Sequence, residues 1–299
     1  MSAPGESLSI LLTGATGFVG SRLAPVLERA GHRVRAMTRH PDDYTGAGEA
    51  VHGDVGDPDS LRAALDGVDV ALYLVHSLGD ADFEERDADA ARAFATAAED
   101  AGVRQLVYLG GLGDEAEGLS AHLRSRREVE RLLAGTSVPL TVLRAAIIVG
   151  AGGISWELTR QLVKHLPAMV VPHWAGTRTQ PIAIDDVIRY LVGVVGNPDA
   201  YGRTFELGGA DRLTYIAMLQ QAAQEMGTSR PILKVPVLTP RLSSYWIALV
   251  TDVDPTTARN LIDSMRNEVV QRDTSIRELV PGEPMTYRQA VRLAIGKQP

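Results

Sequence analysis

The segment Thr13-Gly14-Ala15-Thr16-Gly17-Phe18-Val19-Gly20 places glycines at 14, 17 and 20, directly after an apolar run and directly before a helical pattern. Glycine at the first position permits a tight turn. At the second it lets the backbone approach a pyrophosphate, and at the third it allows the helix to pack closely on the strand. A helix that starts there presents free N–H groups and a partial positive charge to phosphate. The chemistry this spacing suits is dinucleotide binding through Gly14, Thr16, Gly17, Phe18, Val19 and Gly20. The alternative is a glycine-rich turn with no ligand.

A second strand, Arg33 to Thr38, follows and ends in Thr38-Arg39-His40 without an acid. An Asp or Glu there would hold a ribose 2′-hydroxyl. Arg39 is instead suited to a 2′-phosphate, which favours NADP(H) over NAD(H). A solvated loop arginine is the competing reading, and His40 is read as a bystander.

The elements that must position these residues alternate in type. Strand-like runs span Leu8 to Thr13, Arg33 to Thr38, Ala50 to Gly53, Val68 to Val75, Gln105 to Leu109 and Leu140 to Ile148. Helical patterns span Gly17 to Ala30, Pro58 to Leu65, Asp82 to Ala101 and Ser120 to Leu133. Such alternation implies right-handed crossovers and an α/β fold: a Rossmann-type, doubly wound parallel sheet. Near-continuous apolar strands such as VALYLV fit burial on both faces. The expected division is a dinucleotide-binding domain over 1–152, its sheet completed from within 178–210, and a smaller, mostly helical lobe over 153–299. In that lobe the patterns give helices at Ser155 to His165 and Asp185 to Val195, with strands at Thr179 to Ala183 and Thr204 to Leu207. Asp185 is the expected cap of its helix.

Composition narrows the function classes. A net charge of −7 supplies no basic field for nucleic acid. The absence of cysteine excludes disulfides and thiolate chemistry, and the seven histidines show no metal-ligand spacing. Neither a signal peptide nor a membrane span is expected, so the chain reads as cytoplasmic, a monomer or homodimer. Lysine occurs only at 164, 234 and 297.

The glycine loop, the GDVGD segment at 53–57 and the strand ALYLVHS together resemble the NmrA-like, atypical branch of the short-chain dehydrogenase/reductase superfamily. HLRSRREVE, LRAAIIVGAG and RTQPIAIDDVIRYL resemble its bacterial epimerase/dehydratase-like subgroup. The resemblance implies that Asp54 and Val55 abut adenine and that Leu74, Val75 and His76 pass near the nicotinamide ribose. Asp54 also reads as a turn or capping acid.

The superfamily's Tyr-x-x-x-Lys pair and its serine after the fifth strand are missing. Gly110-Gly111-Leu112-Gly113 stands at the serine's place, and His122-x-x-x-Arg126 falls where the pair would lie. At i and i+4 these two share a helix face. An imidazole can act as acid or base near neutral pH, with the arginine lowering its pKa. His76 has a similar claim by position. The alternatives are a solvated face of Arg124, Arg126, Arg127, Glu128, Glu130 and Arg131, and for His76 a simple turn.

In the second half Trp156, His173, Trp174 and Arg178 are candidates for a substrate pocket, or for packing. Tyr245 to Val250 reads as core or protein interface. The expected function is an NADP(H)-dependent oxidoreductase acting on a small organic substrate. The competing one is a non-catalytic NADP(H) redox sensor or assembly protein acting through a protein partner.

Overall fold

The computed structural model describes residues 7–76, 82–114, 118–165, 169–171, 173–229, 231–234 and 255–296, with the backbone alone at 169–171, 173, 174, 232–234, 255, 258 and 262. Strand β1 (Ser9–Leu12) is buried throughout. Ile10 and Leu12 enter one core and Leu11 the opposite one, as the period of two requires. A strand that is apolar on both sides needs cover on both. Helices α1 (Gly20–Arg29) and α6 (Ile184–Val194) cover one face. Helices α2 (Pro58–Leu65), α3 (Phe83–Asp100) and α4 (Ala121–Leu133) cover the other.

The sheet has seven strands, all parallel. From one edge they run β3 (Glu49–His52), β2 (Arg33–Thr38), β1, β4 (Val70–Tyr73), β5 (Gln105–Gly111), β6 (Leu140–Ala145) and β11 (Thr204–Leu207). The chain leaves β1 toward β2 on one side and takes up β4 on the other. The order therefore reverses between β1 and β4, and a crevice opens beyond their carboxyl ends, where doubly wound sheets bind ligands.

Two runs expected as single strands are broken. Leu140 to Ile148 divides into β6 and β7 (Ile148–Val149), which leaves the sheet to pair with β10 (Ile182–Ala183). Thr179 to Ala183 divides at Gln180-Pro181 into β9 (Arg178–Thr179) and β10. Proline has no N–H for a ladder. Gln180 is buried, and its side-chain amide donates to the Gly209 carbonyl (2.7 Å) and accepts from the Gln271 N–H (3.0 Å).

Asp185 does not cap its helix. Helix α6 begins at Ile184 with Ala183 as N-cap and no side-chain cap bond, so Asp185 lies in the first turn, where it complements the helix dipole. Asp186 is the tethering acid: it accepts from Arg189 (2.9 Å) and from the Met285 N–H (2.8 Å).

The second lobe packs α5 (Ile154–His165), α7 (Tyr215–Glu225) and the helix Tyr287–Ala294 around Trp156, Tyr215 and Tyr287. It grips the start of α4. The Ser120 N–H donates to Asn267 Oδ1 (3.0 Å), Asn267 Nδ2 donates to the Gly118 carbonyl (3.2 Å), and the Ser120 and Ser264 hydroxyls lie 3.2 Å apart. Tyr245 to Val250 lies outside the described residues. No helix among those described is long and apolar enough to cross a membrane.

Candidate active site

The three glycines of the β1–α1 loop have separate jobs. Gly14 has φ +64°, a left-handed turn, and a Cβ there would sit 3.1 Å from the Leu74 carbonyl oxygen. A Cβ at Gly20 would lie 2.2 Å from the Gly14 oxygen, so only glycine lets α1 start against the turn. A Cβ at Gly17 would meet only that oxygen, at 3.1 Å, and would otherwise project into open space. Gly17 and Thr16 are exposed.

Thr13 ties the loop to the end of β4: its hydroxyl donates to the Leu72 carbonyl (3.0 Å) and accepts from the Leu74 N–H (2.9 Å). Arg22 braces it from behind. Its guanidinium donates to the Phe18 carbonyl (2.8 Å) and the Ala151 carbonyl (2.6 Å) and lies 4.6 Å from the centre of the Phe18 ring. Val19, the N-cap of α1, offers no side-chain acceptor, and the N–H groups of Thr16, Phe18 and Val19 find no partner among the described residues. Unspent donors at a helix start, beside an open Gly17, are a fitting cradle for a dinucleotide pyrophosphate.

Arg39 follows β2, exposed, and makes no hydrogen bond or ion pair among the described residues. Asp54 follows β3 and uses its side chain locally: Oδ1 accepts from the Gly56 N–H (2.8 Å), while its own N–H donates to Ser60 Oγ (3.0 Å). Asp57 caps α2. Val55 and Val75 pack against one core and Leu74 against the other.

On the other side of the crevice, α4 carries His122 and Arg126. Ser120 caps this helix by accepting from the Leu123 N–H (3.3 Å), and Leu123, Ser125, Arg126, Val129 and Leu133 turn inward. The run of charges is thus not a uniformly solvated face. Arg126 is only 6% exposed, and a Cβ on Gly111 would lie 3.7 Å from its Cγ. Its charge acts on His76, His122, Tyr73 and Tyr108. The tertiary fold therefore brings together His76 from the end of β4 and His122 and Arg126 from α4.

Burial first, then the Arg126 charge, then His76 push the His122 pKa down to about 3. Its Nδ1 is buried without a hydrogen-bond partner among the described residues. His76 keeps an exposed edge, while the walls around it and the Arg126 charge lower its pKa too. Both imidazoles are therefore neutral at pH 7, and the titration near neutrality expected of the His122–Arg126 pair does not follow.

Sequence reasoning missed what surrounds the pair. Tyr73 and Tyr108 are buried beneath it, with ring centres 6.1 Å apart, and burial raises both phenol pKa values, so neither is an acid or base near pH 7. Asp87 of α3, 4% exposed, accepts from the Ser125 hydroxyl (3.2 Å). Beyond the ends of β5, β6 and β11 a cleft of about 280 Å³ is lined by Asp114, Arg144, Glu206, Glu268 and Arg272, among others. Arg144 pairs with Glu130, Arg272 with Asp114, and Glu268 with Arg178, while Glu206 accepts from the backbone N–H groups of Arg272 (2.5 Å) and Asp273 (3.1 Å). These residues come from segments far apart in the chain, so no local pattern marks them. Trp156 is buried in the core of the second lobe, and its indole N–H has no partner among the described residues. The side chains of His173 and Trp174 lie outside the described part of the structure.

Known proteins resemble this chain in sequence and fold. The chain is 28% identical over 241 residues to a ceramide reductase of Caulobacter vibrioides, covering 76% of this chain and 73% of that protein. It is 31% identical over 235 residues to a (4-alkanoyl-5-oxo-2,5-dihydrofuran-3-yl)methyl phosphate reductase of Streptomyces griseus, covering 75% of each. The fold of Citrobacter triphenylmethane reductase superposes with a TM-score of 0.75 at 19% identity, over 96% of this chain and 99% of that one. The sequence pattern of the NAD(P)H-binding family matches residues 14–169, starting at the turn glycine and running past β6 and α5. With slightly more than half its length so matched, the chain belongs to the NAD(P)H-binding family, and it stands there beside reductases.

Proposed function

We propose that the protein is an NADP(H)-dependent reductase of carbonyl or conjugated enone compounds, with His122 and Arg126 standing in for the missing tyrosine and lysine. The carrying observation is the pair itself: a buried guanidinium and a buried, unpartnered imidazole nitrogen, one helical turn apart, beside the carboxyl ends of β4 and β5. Arg39, exposed after β2 and without a partner among the described residues, supports the 2′-phosphorylated cofactor.

A bound reduced nicotinamide supplies the hydride. As hydride adds to the substrate carbon, the C=O π electrons move onto oxygen, and the protein must stabilise that charge. His122 is neutral, so it serves as a hydrogen-bond donor to the reacting oxygen, not as an imidazolium acid. Arg126 supplies the fixed positive charge nearby, in a site where little water screens it. The final proton comes from water at the exposed His76 edge. For a conjugated enone the same groups hold the enolate oxygen.

His122→Ala should lower turnover by about 100-fold or more while leaving dinucleotide affinity within twofold, because groups acting on the reacting oxygen typically contribute 10²–10⁴. NADPH consumption over a panel of ketones, aldehydes and enones supplies the rate. A second reading, a non-catalytic redox sensor, draws on the lack of any group in the cluster that titrates near pH 7. It prevails if no compound in the panel is reduced while the NADP⁺/NADPH ratio alters affinity for a protein partner.

A further inference from the structure

Arginines on α4 are otherwise fully employed. Arg124 donates to the Leu119 carbonyl (3.0 Å) and approaches Glu84 (3.5 Å). Arg127 donates to the Gly111 and Gly113 carbonyls (3.1 and 2.7 Å) and to Glu130 (3.3 Å). Arg131 pairs with Glu128 (2.5 Å). Arg126 is the most buried of the four, and its side chain makes no ion pair among the described residues; its hydrogen-bonding neighbour there is the Tyr108 phenol, which carries no charge to offset it.

Acids close enough to serve it are already committed. Asp87 accepts from Ser125, and Glu130 receives two bonds from Arg144 (3.0 and 2.5 Å) besides that from Arg127. A buried charge without a partner is disfavoured by several kcal/mol. A guanidinium has five N–H donors in a rigid fork that fits a carboxylate with two parallel bonds. Near it, within reach of its charge, His122 Nδ1 is a buried polar atom with no hydrogen-bond partner among the described residues. A ribose hydroxyl of the dinucleotide could take one Arg126 hydrogen bond but would leave the charge uncompensated, and the pyrophosphate belongs at the glycine loop across the crevice.

We propose that Arg126 is the binding residue for a carboxylate carried by the substrate, which makes the substrate an oxo acid: carboxylate on Arg126, reacting carbonyl oxygen on His122. The i, i+4 spacing sets the Cβ atoms of these two residues about 5–6 Å apart on one helix face, so one small ligand can reach both side chains. The product is the hydroxy acid: hydride goes from the reduced nicotinamide to the carbonyl carbon, a proton from water goes to the oxygen, and the cofactor leaves oxidised. In a chain of net charge −7, a buried cation with no acid paired to it favours an anionic ligand over a neutral one. The inference rests on the reductase reading only in calling the anion a substrate.

The test is calorimetric titration of the full chain, saturated with NADP⁺, using benzoate and its uncharged isostere benzamide. Benzoate should bind about 10–100-fold more tightly, the worth of a charge-assisted hydrogen-bonded pair. Arg126→Gln should abolish that difference and Arg126→Lys should retain part of it, with NADP⁺ affinity within twofold in both; the unchanged dinucleotide binding shows that the variants fold. Equal binding of the two probes, binding of neither, or a benzoate preference that survives Arg126→Gln overturns the proposal. A parallel assay compares phenylglyoxylate with its methyl ester as NADPH-linked substrates. Reduction of neutral ketones with no benzoate preference refutes the carboxylate site and leaves the reductase standing. A benzoate preference without turnover of any carbonyl compound does the reverse.

Discussion

Replacing Arg126 with methionine should make the ligand-free protein more stable. Methionine preserves the length of the stem that passes Gly111 and adapts to irregular space. What is lost is a guanidinium, 6% exposed, with no acid paired to it among the described residues. Exchanging buried ionic groups for apolar ones of similar volume stabilises by about 1–4 kcal/mol even when the charges are paired. An unpaired one should reach that range without difficulty. Unfolding entropy near 2.1 cal/mol/K per residue gives a chain of this length about 0.6 kcal/mol/K, so the gain corresponds to a rise in Tm of roughly 2–6 °C. Scanning calorimetry of wild type and Arg126→Met, both free of dinucleotide and in an anion-free buffer, measures it. Added benzoate should then raise the Tm of the wild type and not of the variant, which narrows the gap. A Tm that falls in Arg126→Met, by the same amount with and without benzoate, would refute the reasoning, because it would mean that the guanidinium is held by the fold and not kept for a ligand.

Three further outcomes follow from the geometry. Gly17→Val should abolish dinucleotide binding with Tm nearly unchanged, whereas Gly20→Val should unfold the β1–α1 corner, since its Cβ would lie 2.2 Å from the Gly14 oxygen; titration and circular dichroism on both separate ligand space from packing space. Arg39→Ala should weaken NADPH by about 10–100-fold and leave NADH unaffected, the range expected for a lost charge-assisted phosphate contact; equal loss for both cofactors would place Arg39 outside the 2′-phosphate site. The histidines give the pH dependence its sign. His122 and His76 both have folded-state pKa values below the ordinary 6.5, so the unfolded chain takes up their protons first, and stability present above pH 6.5 is lost as pH falls toward the folded value, about 3 for His122. Urea unfolding at pH 7 and pH 5 should show this slope flattened in His122→Gln, and an unchanged slope would contradict it.

Much of the fold was legible because its signals are local. The glycine spacing, the buried strands and the helices between them are written in windows of a dozen residues, and the seven-strand parallel sheet places them as that alternation demands. Breaks in the second half were not legible. Whether Thr179 to Ala183 continues as one strand depends on Gln180 finding Gly209 and Gln271, partners supplied by distant segments. Asp185 looked like a cap because its residue type favours one, but pairing of β10 with β7 sets the helix start one residue earlier.

The candidate site divides the same way. The sequence by itself placed the three glycines between β1 and α1 and set His122 and Arg126 one turn apart on α4, since loop and helix spacings are properties of the backbone. It could not determine which of the arginines in HLRSRREVE is solvated. Only the tertiary structure decided that, because an arginine's environment is a contest for carboxylates brought from elsewhere. Arg144 on β6 takes Glu130, Ser125 takes a share of Asp87, and Gly111 at the end of β5 leaves the space into which Arg126 is buried with its charge unmatched. Electrostatic compensation acts through space and desolvation through enclosure, and neither is encoded in the spacing of residues along one helix.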